Sequence, residues 1–118
     1  MISIATQGNQ ISVSILGEFT LTDYQAFEQA VLHNLAFEGG VYLLVDMRDM
    51  VSYTVDVAWE DIKFASQHRY DFRKIALVTG SEWQTWLAWV YRLFMDADIR
   101  VFDEPGIALE WLQQPAEV

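Results

Sequence analysis

Hydrophobic positions change period several times along this chain, and each change marks an element. Ile2 and Ile4 alternate with Ser3 and Ala5, and Ile11, Val13 and Ile15 alternate with Ser12 and Ser14. Gln7-Gly8-Asn9-Gln10 lies between the two runs, so the pattern predicts a hairpin with one buried face and Gly-Asn supplying positive φ at the turn. Gly17 is expected to end it. Leu21, Tyr24, Phe27, Val31 and Leu35 then recur at helical spacing up to Gly39-Gly40, with Thr22 and Gln25 spaced as a capping box.

Val41 to Val45 is continuously apolar, the signature of a central strand covered on both faces. Asp46 is read as its end and Met47 to Val55 as a loop. Asp56 can cap a helix whose inner face is Trp59, Ile62, Ala65 and the stem of Arg69, with Phe64 off that line. Ile75 to Val78 forms a second buried strand. Ile99 to Phe102 alternates like an edge strand, and Asp103 is expected to cap a last helix with Ile107, Ala108, Trp111 and Leu112 inward. The order is ββαβαβαβα, which implies an α/β domain with a mixed sheet and right-handed crossovers.

Ser81 to Met95 breaks the pattern. Trp83, Trp86, Leu87, Val90 and Phe94 make one helical stripe, and Ser81 with Gln84 supplies a start signal. Trp89, Tyr91, Leu93 and Met95 widen that stripe and leave only a narrow polar strip near Thr85, Arg92 and Asp96. One sheet face does not bury an arc this broad, so part of it is expected to meet a ligand, a partner or a membrane.

Composition narrows the classes. One domain spanning residues 1–118 is expected, since 53% of its residues are hydrophobic and no linker composition interrupts it. There is no cysteine, hence no disulfide, thiolate metal site or thiol nucleophile. A net charge of −10 argues against nucleic acid. No run approaches the roughly 20 apolar residues of a membrane span, and the N-terminus lacks signal-peptide features, so a soluble cytoplasmic protein is expected. Basic residues are absent before Arg48 and then cluster as Lys63, Arg69, Arg73 and Lys74, which gives an acidic body one basic patch.

Reaction chemistry is sparse. Asp46 and Asp49 follow a strand, where Mg²⁺ ligands can lie, but no third ligand accompanies them. The structural reading has Asp46 bonding loop amides and Asp49 pairing with Arg48. His33 and His68 lack the companions a zinc site needs. No metal, cofactor or catalytic residue is predicted.

Gly17 with the following Leu21-Thr22 helix start, Leu44-Val45-Asp46, Trp59 with Phe64, Phe72 to Val78, Trp83, Arg100-Val101-Phe102 and Ala108-x-x-Trp111-Leu112 together resemble the SpoIIAA-like family, relatives of the STAS anti-sigma-factor antagonist domain. The resemblance covers nearly the whole chain. It implies a four- or five-stranded α/β domain without catalytic activity, and by fold analogy a likeness to lipid-exchange domains. STAS antagonists carry a switch serine in an Asp-Ser-x-Gly context at the start of the helix after the central strand. The stretch here is Thr54-Val55-Asp56-Val57-Ala58, with neither that serine nor the glycine, and Ser52 and Thr54 lie nearby outside the motif.

The expectation is therefore a non-enzymatic module for a small hydrophobic or lipid-like ligand. Trp59, Phe64, Trp86, Trp89, Tyr91 and Phe94 would form the lining, with His68 and Arg92 as polar handles. Arg69, Arg73 and Lys74 would meet an anionic membrane surface. The alternative is a STAS-like interaction module or homodimer built on the same arc.

Overall fold

The computed structural model describes residues 1–38, 40–54, 56, 60, 63, 64, 67, 71–79 and 98–114, with backbone alone for 35–38 and 53. Five strands and two helices are delimited there: β1 Ile2–Gln7, β2 Gln10–Phe19, α1 Leu21–Glu38, β3 Val41–Tyr53, β4 Phe72–Val78, β5 Asp98–Phe102 and α2 Pro105–Gln113. They form one mixed sheet in the order β1-β2-β3-β4-β5. The β1–β2 hairpin is antiparallel, and β2 through β5 run parallel.

The hairpin turns as its sequence predicts, with one difference. Gly8 takes φ 60°, while Asn9 keeps negative φ, so glycine alone supplies the left-handed residue. Gly17 does not end β2. It takes φ 69° inside the strand, beside a register shift, and the chain kinks there and continues to Phe19.

The segment read as a loop after Asp46 is strand. Against β2, residues Ser14, Leu16, Gly17 and Glu18 pair with Asp46, Asp49, Met50 and Ser52, so β3 carries two extra residues. Each extra residue reverses the side-chain alternation, and a period-2 pattern in Asp46 to Tyr53 is thereby erased. Val51, the second extra residue, is 80% exposed, whereas Met47 is buried.

A third bulge organises β4. Val41 pairs with Phe72 and Tyr42 with Lys74, leaving Arg73 as the extra residue. Without it Phe72 and Lys74 would share a face. With it, Phe72 enters the core beneath α1, and Lys74 lies on the opposite face under α2.

Two cores result, one per face. Under α1 lie Ile11, Val13, Ile15, Leu43, Val45, Met47, Ile75, Leu77 and Ile99 from the sheet, joined by Tyr24, Phe27 and Val31 from the helix. Leu35 was expected on the same helix face, but its side chain is outside the described residues. Beneath α2 lie Leu44, Ala76 and Val78, with Ala108, Trp111 and Leu112 above them. Burying each Val, Leu, Ile, Phe or Met side chain among these stabilises the fold by about 1.5–3 kcal/mol.

Both helix caps differ from their sequence signals by position. Thr20, not Thr22, begins α1: its hydroxyl accepts from the Asp23 amide at 3.3 Å, and the Asp23 carboxylate accepts from the Thr20 amide at 3.2 Å. Asp23 also meets the N-terminal ammonium at 3.2 Å. Glu104, not Asp103, caps α2, accepting from the Gly106 amide at 3.1 Å. Pro105 occupies the first turn and forces the residue before it into extended backbone, which is the cap conformation Glu104 adopts. Ile107, expected to face inward, is 54% exposed.

Candidate functional site

Phe64 is the described member of the predicted aromatic lining, and it points inward. Asp56, Glu60, Lys63, Phe64 and Gln67 have helical backbone, and Lys63 pairs with Glu60 at 3.3 Å on the outer side. Phe64 was read as lying off the inner face; instead it is 5% exposed. Its ring centroid lies 6.3 Å from Tyr24, 6.0 Å from Phe27 and 6.3 Å from Phe72. The Tyr24 and Phe72 contacts are edge-to-face, the arrangement aromatic quadrupoles favour. Tyr24 continues the array to Phe19 at 5.8 Å. The α1 side of the sheet is therefore walled by connected rings drawn from β2, α1, β4 and the segment bearing Phe64. Trp59, His68, Arg69, Trp86, Trp89, Tyr91, Arg92 and Phe94, with the whole Ser81 to Met95 stretch, lie outside the described residues.

The basic patch is divided by the β4 bulge. Lys74 Nζ donates to the Trp111 carbonyl at 2.9 Å and to the Gln114 carbonyl at 3.2 Å, and it stands 4.9 Å from the Trp111 ring. It thus neutralises the carbonyl end of α2. Arg73 is exposed, its stem lying across Gly40, whose φ of 52° positions the turn into β3.

Asp46 does not end a strand, and Arg48 pairs with it rather than with Asp49. Arg48 Nε and a terminal guanidinium nitrogen donate to the two carboxylate oxygens at 3.0 and 2.8 Å, and the Arg48 amide donates to Oδ1 at 3.2 Å. Both oxygens are engaged in this fork, an arrangement that opposes Mg²⁺ ligation. Among the described residues no group of acidic or histidine side chains is arranged to hold a metal ion. Hydrogen bonds from Arg48 hold the Asp46 carboxyl below the ordinary 3.8, against the opposing effect of burial. A depressed carboxyl stabilises the fold above its unfolded pKa, and that contribution disappears as pH falls through the lower folded value. Asp46→Asn is thus expected to reduce stability near neutrality and to flatten the acid limb below about pH 4. Urea melts across that range check this; an acid limb as steep as wild type would contradict it.

The SpoIIAA-like family model matches residues 10–113. The chain belongs to the SpoIIAA-like family. A solved SpoIIAA-like neighbour, an uncharacterized protein of the DUF3478 family from Shewanella loihica, superimposes with a TM-score of 0.75 at 23% identity. The alignment covers 95% of this chain and 92% of that one. At that identity the likeness concerns the fold. No curated protein matches.

The stretch read as corresponding to the STAS switch, Thr54 to Ala58, begins directly after β3, and Ser52 lies just before it. Ser52 Oγ donates to Glu18 Oε2 at 3.4 Å, so an added phosphoryl group would face a carboxylate. The Thr54 amide donates to the Phe19 carbonyl at 3.3 Å, while its hydroxyl oxygen is buried without a hydrogen-bond partner. His33, read as a surface residue, is exposed.

A feature that sequence reasoning missed lies at the opposite end of β3. Gln7, Asn9, Gln10, Tyr42, Leu112, Gln113 and Gln114 line an open cleft of about 440 Å³ between the hairpin turn and the end of α2. Five of these residues, from the two ends of the chain, are asparagine or glutamine. Their meeting is tertiary: Tyr42 donates its amide to the Asn9 carbonyl at 2.9 Å on the hairpin side, and Lys74 holds the Gln114 carbonyl at 3.2 Å on the other. No helix among the described residues is long and apolar enough to cross a membrane.

Proposed function

We propose that this SpoIIAA-like domain is a non-enzymatic binding module for a small hydrophobic or lipid-like molecule. The ligand lies on the α1 side of the sheet, between the helical segment bearing Phe64 and the Ser81 to Met95 stretch. The observation that carries this reading is the ring array of Phe64 with Tyr24, Phe27 and Phe72, an apolar cluster on the α1 side of the sheet. Trp59, Trp86, Trp89, Tyr91 and Phe94 complete the lining, and His68 and Arg92 are its polar handles. Arg73 and Arg69 add attraction to an anionic surface at about 1 kcal/mol each, a contribution the net −10 charge opposes. Lys74 contributes less, because it is held at the end of α2.

Oleic acid and phosphatidylglycerol vesicles are the probes. A blue shift of tryptophan emission is expected with either, lost in Trp86→Ala and Trp89→Ala. Trp111, 6% exposed on the opposite face, contributes a constant background that Trp111→Phe subtracts. No shift, no co-sedimentation with vesicles and no oleate adduct in native mass spectra would together remove this reading.

A further inference from the structure

We propose that β1 is an assembly edge that pairs antiparallel with β1 of a second copy of this chain, joining two five-stranded sheets into one. The phase of the hairpin ladder decides which backbone groups are free. Leu16 and Met1 exchange hydrogen bonds, amide to carbonyl at 2.8 Å and ammonium to carbonyl at 2.9 Å. Bonded and non-bonded pairs alternate in an antiparallel ladder, so Ser3, Ala5 and Gln7 also bond to β2. Ile2, Ile4 and Thr6 then direct their amides and carbonyls outward, at the edge of the sheet.

Proteins ordinarily blunt such an edge with charge, proline or a bulge. The β5 edge follows that rule: it is five residues long, carries Asp98 and Arg100 paired at 3.7 Å, and is followed by Asp103, Glu104 and Pro105. β1 has none of these devices. Its sequence ISIATQ is uncharged, and its register with β2 is unbroken from Ile2 to Gln7. Within a chain of net charge −10, a neutral strand lets two copies approach without direct repulsion at the seam.

The strand is also nearly self-complementary about Ile4, which favours a second copy over a foreign strand. Centring a two-fold axis there sets Ile4 opposite Ile4 of the second copy and Ile2 opposite its Thr6, as hydrogen-bonded pairs. Ser3 meets Ala5 of the second copy in the intervening non-bonded pair. β-branched residues therefore meet on the α1 face and small ones on the other, and about six backbone hydrogen bonds form. Ile2 and Ile4, only partly buried in the single chain, gain apolar neighbours. Such an interface is isologous and closes on itself.

Light scattering and sedimentation on the full chain test this. A dimer is expected, tighter at higher salt because the repulsion between two acidic bodies is screened. Thr6→Pro removes an outward amide and leaves the β2 ladder intact, and it should weaken the dimer at least about tenfold with an unchanged circular dichroism spectrum. Since the chain has no cysteine, Ser3→Cys mixed with Ala5→Cys should give an oxidised heterodimer, and neither variant alone should cross-link. A protein that is monomeric at about 0.3 mM, well above an ordinary micromolar Kd, would overturn the proposal. So would a dimer that survives Thr6→Pro without the mixed cross-link, and so would one abolished by Trp89→Glu instead, which would place the interface on the aromatic arc.

Discussion

Trp111→Ala should destabilise the domain by about 3–5 kcal/mol, enough to consume much of the stability of a domain this size. Trp111 is buried among Leu44, Ala76, Val78, Ala108 and Leu112. Its ring lies 5.6 Å from Phe102 and faces two cations, Lys74 at 4.9 Å and Arg100 at 5.2 Å. The helix carrying it spans nine residues, too few to persist without its packing. Losing the indole therefore unseats α2 and also removes the surface on which the Lys74 and Arg100 stems rest. Lys74→Met separates the contributions: it keeps the aliphatic stem and should cost only about 1 kcal/mol, the worth of a cation–π contact and a helix-end charge. Urea unfolding followed by far-ultraviolet circular dichroism reads both. A Trp111→Ala cost below about 1 kcal/mol would show that α2 is held by something other than this ring.

The second large effect is at Phe64, where core packing and the proposed ligand site coincide. Phe64→Ala removes a ring in contact with Tyr24, Phe27 and Phe72, so a cost of about 3–5 kcal/mol is expected from lost burial and the cavity left behind. Oleate should lose its effect on tryptophan emission in the same variant. Phe64→Leu distinguishes the two outcomes, since it fills most of the volume and should cost less than half as much, while the edge-to-face contacts vanish. If Phe64→Leu responds to oleate as wild type does, the ring is core alone and the ligand does not reach this wall.

The parts of the fold legible in the sequence were those where one period runs undisturbed. Ile11 to Ile15, Val41 to Val45 and Ile75 to Val78 each announce a strand, because alternation or continuous apolarity follows directly from which faces are covered. The family resemblance rested on the order of these segments, and it held. What escaped was set by insertions of single residues. Two extra residues hid the second half of β3 inside an apparent loop, and Arg73, read as one member of a basic patch, proved to be the residue that turns Lys74 to the other face. Capping signals failed by one or two positions for a related reason. Thr20 and Thr22 offer the same hydroxyl, and only the reach of Asp23 decides between them. Phe64 escaped because a helical wheel drawn from Trp59, Ile62 and Ala65 weights number of apolar residues over the size of the ring the core accepts. The amide cleft had no periodic signal at all, since its walls come from opposite ends of the chain.

The spatial order of the strands is also their order along the chain. Each strand therefore lies beside its predecessor, and none has to be threaded between two that are paired. β1 and β5 are the two rims of this sheet, one at each end of the sequence of strands.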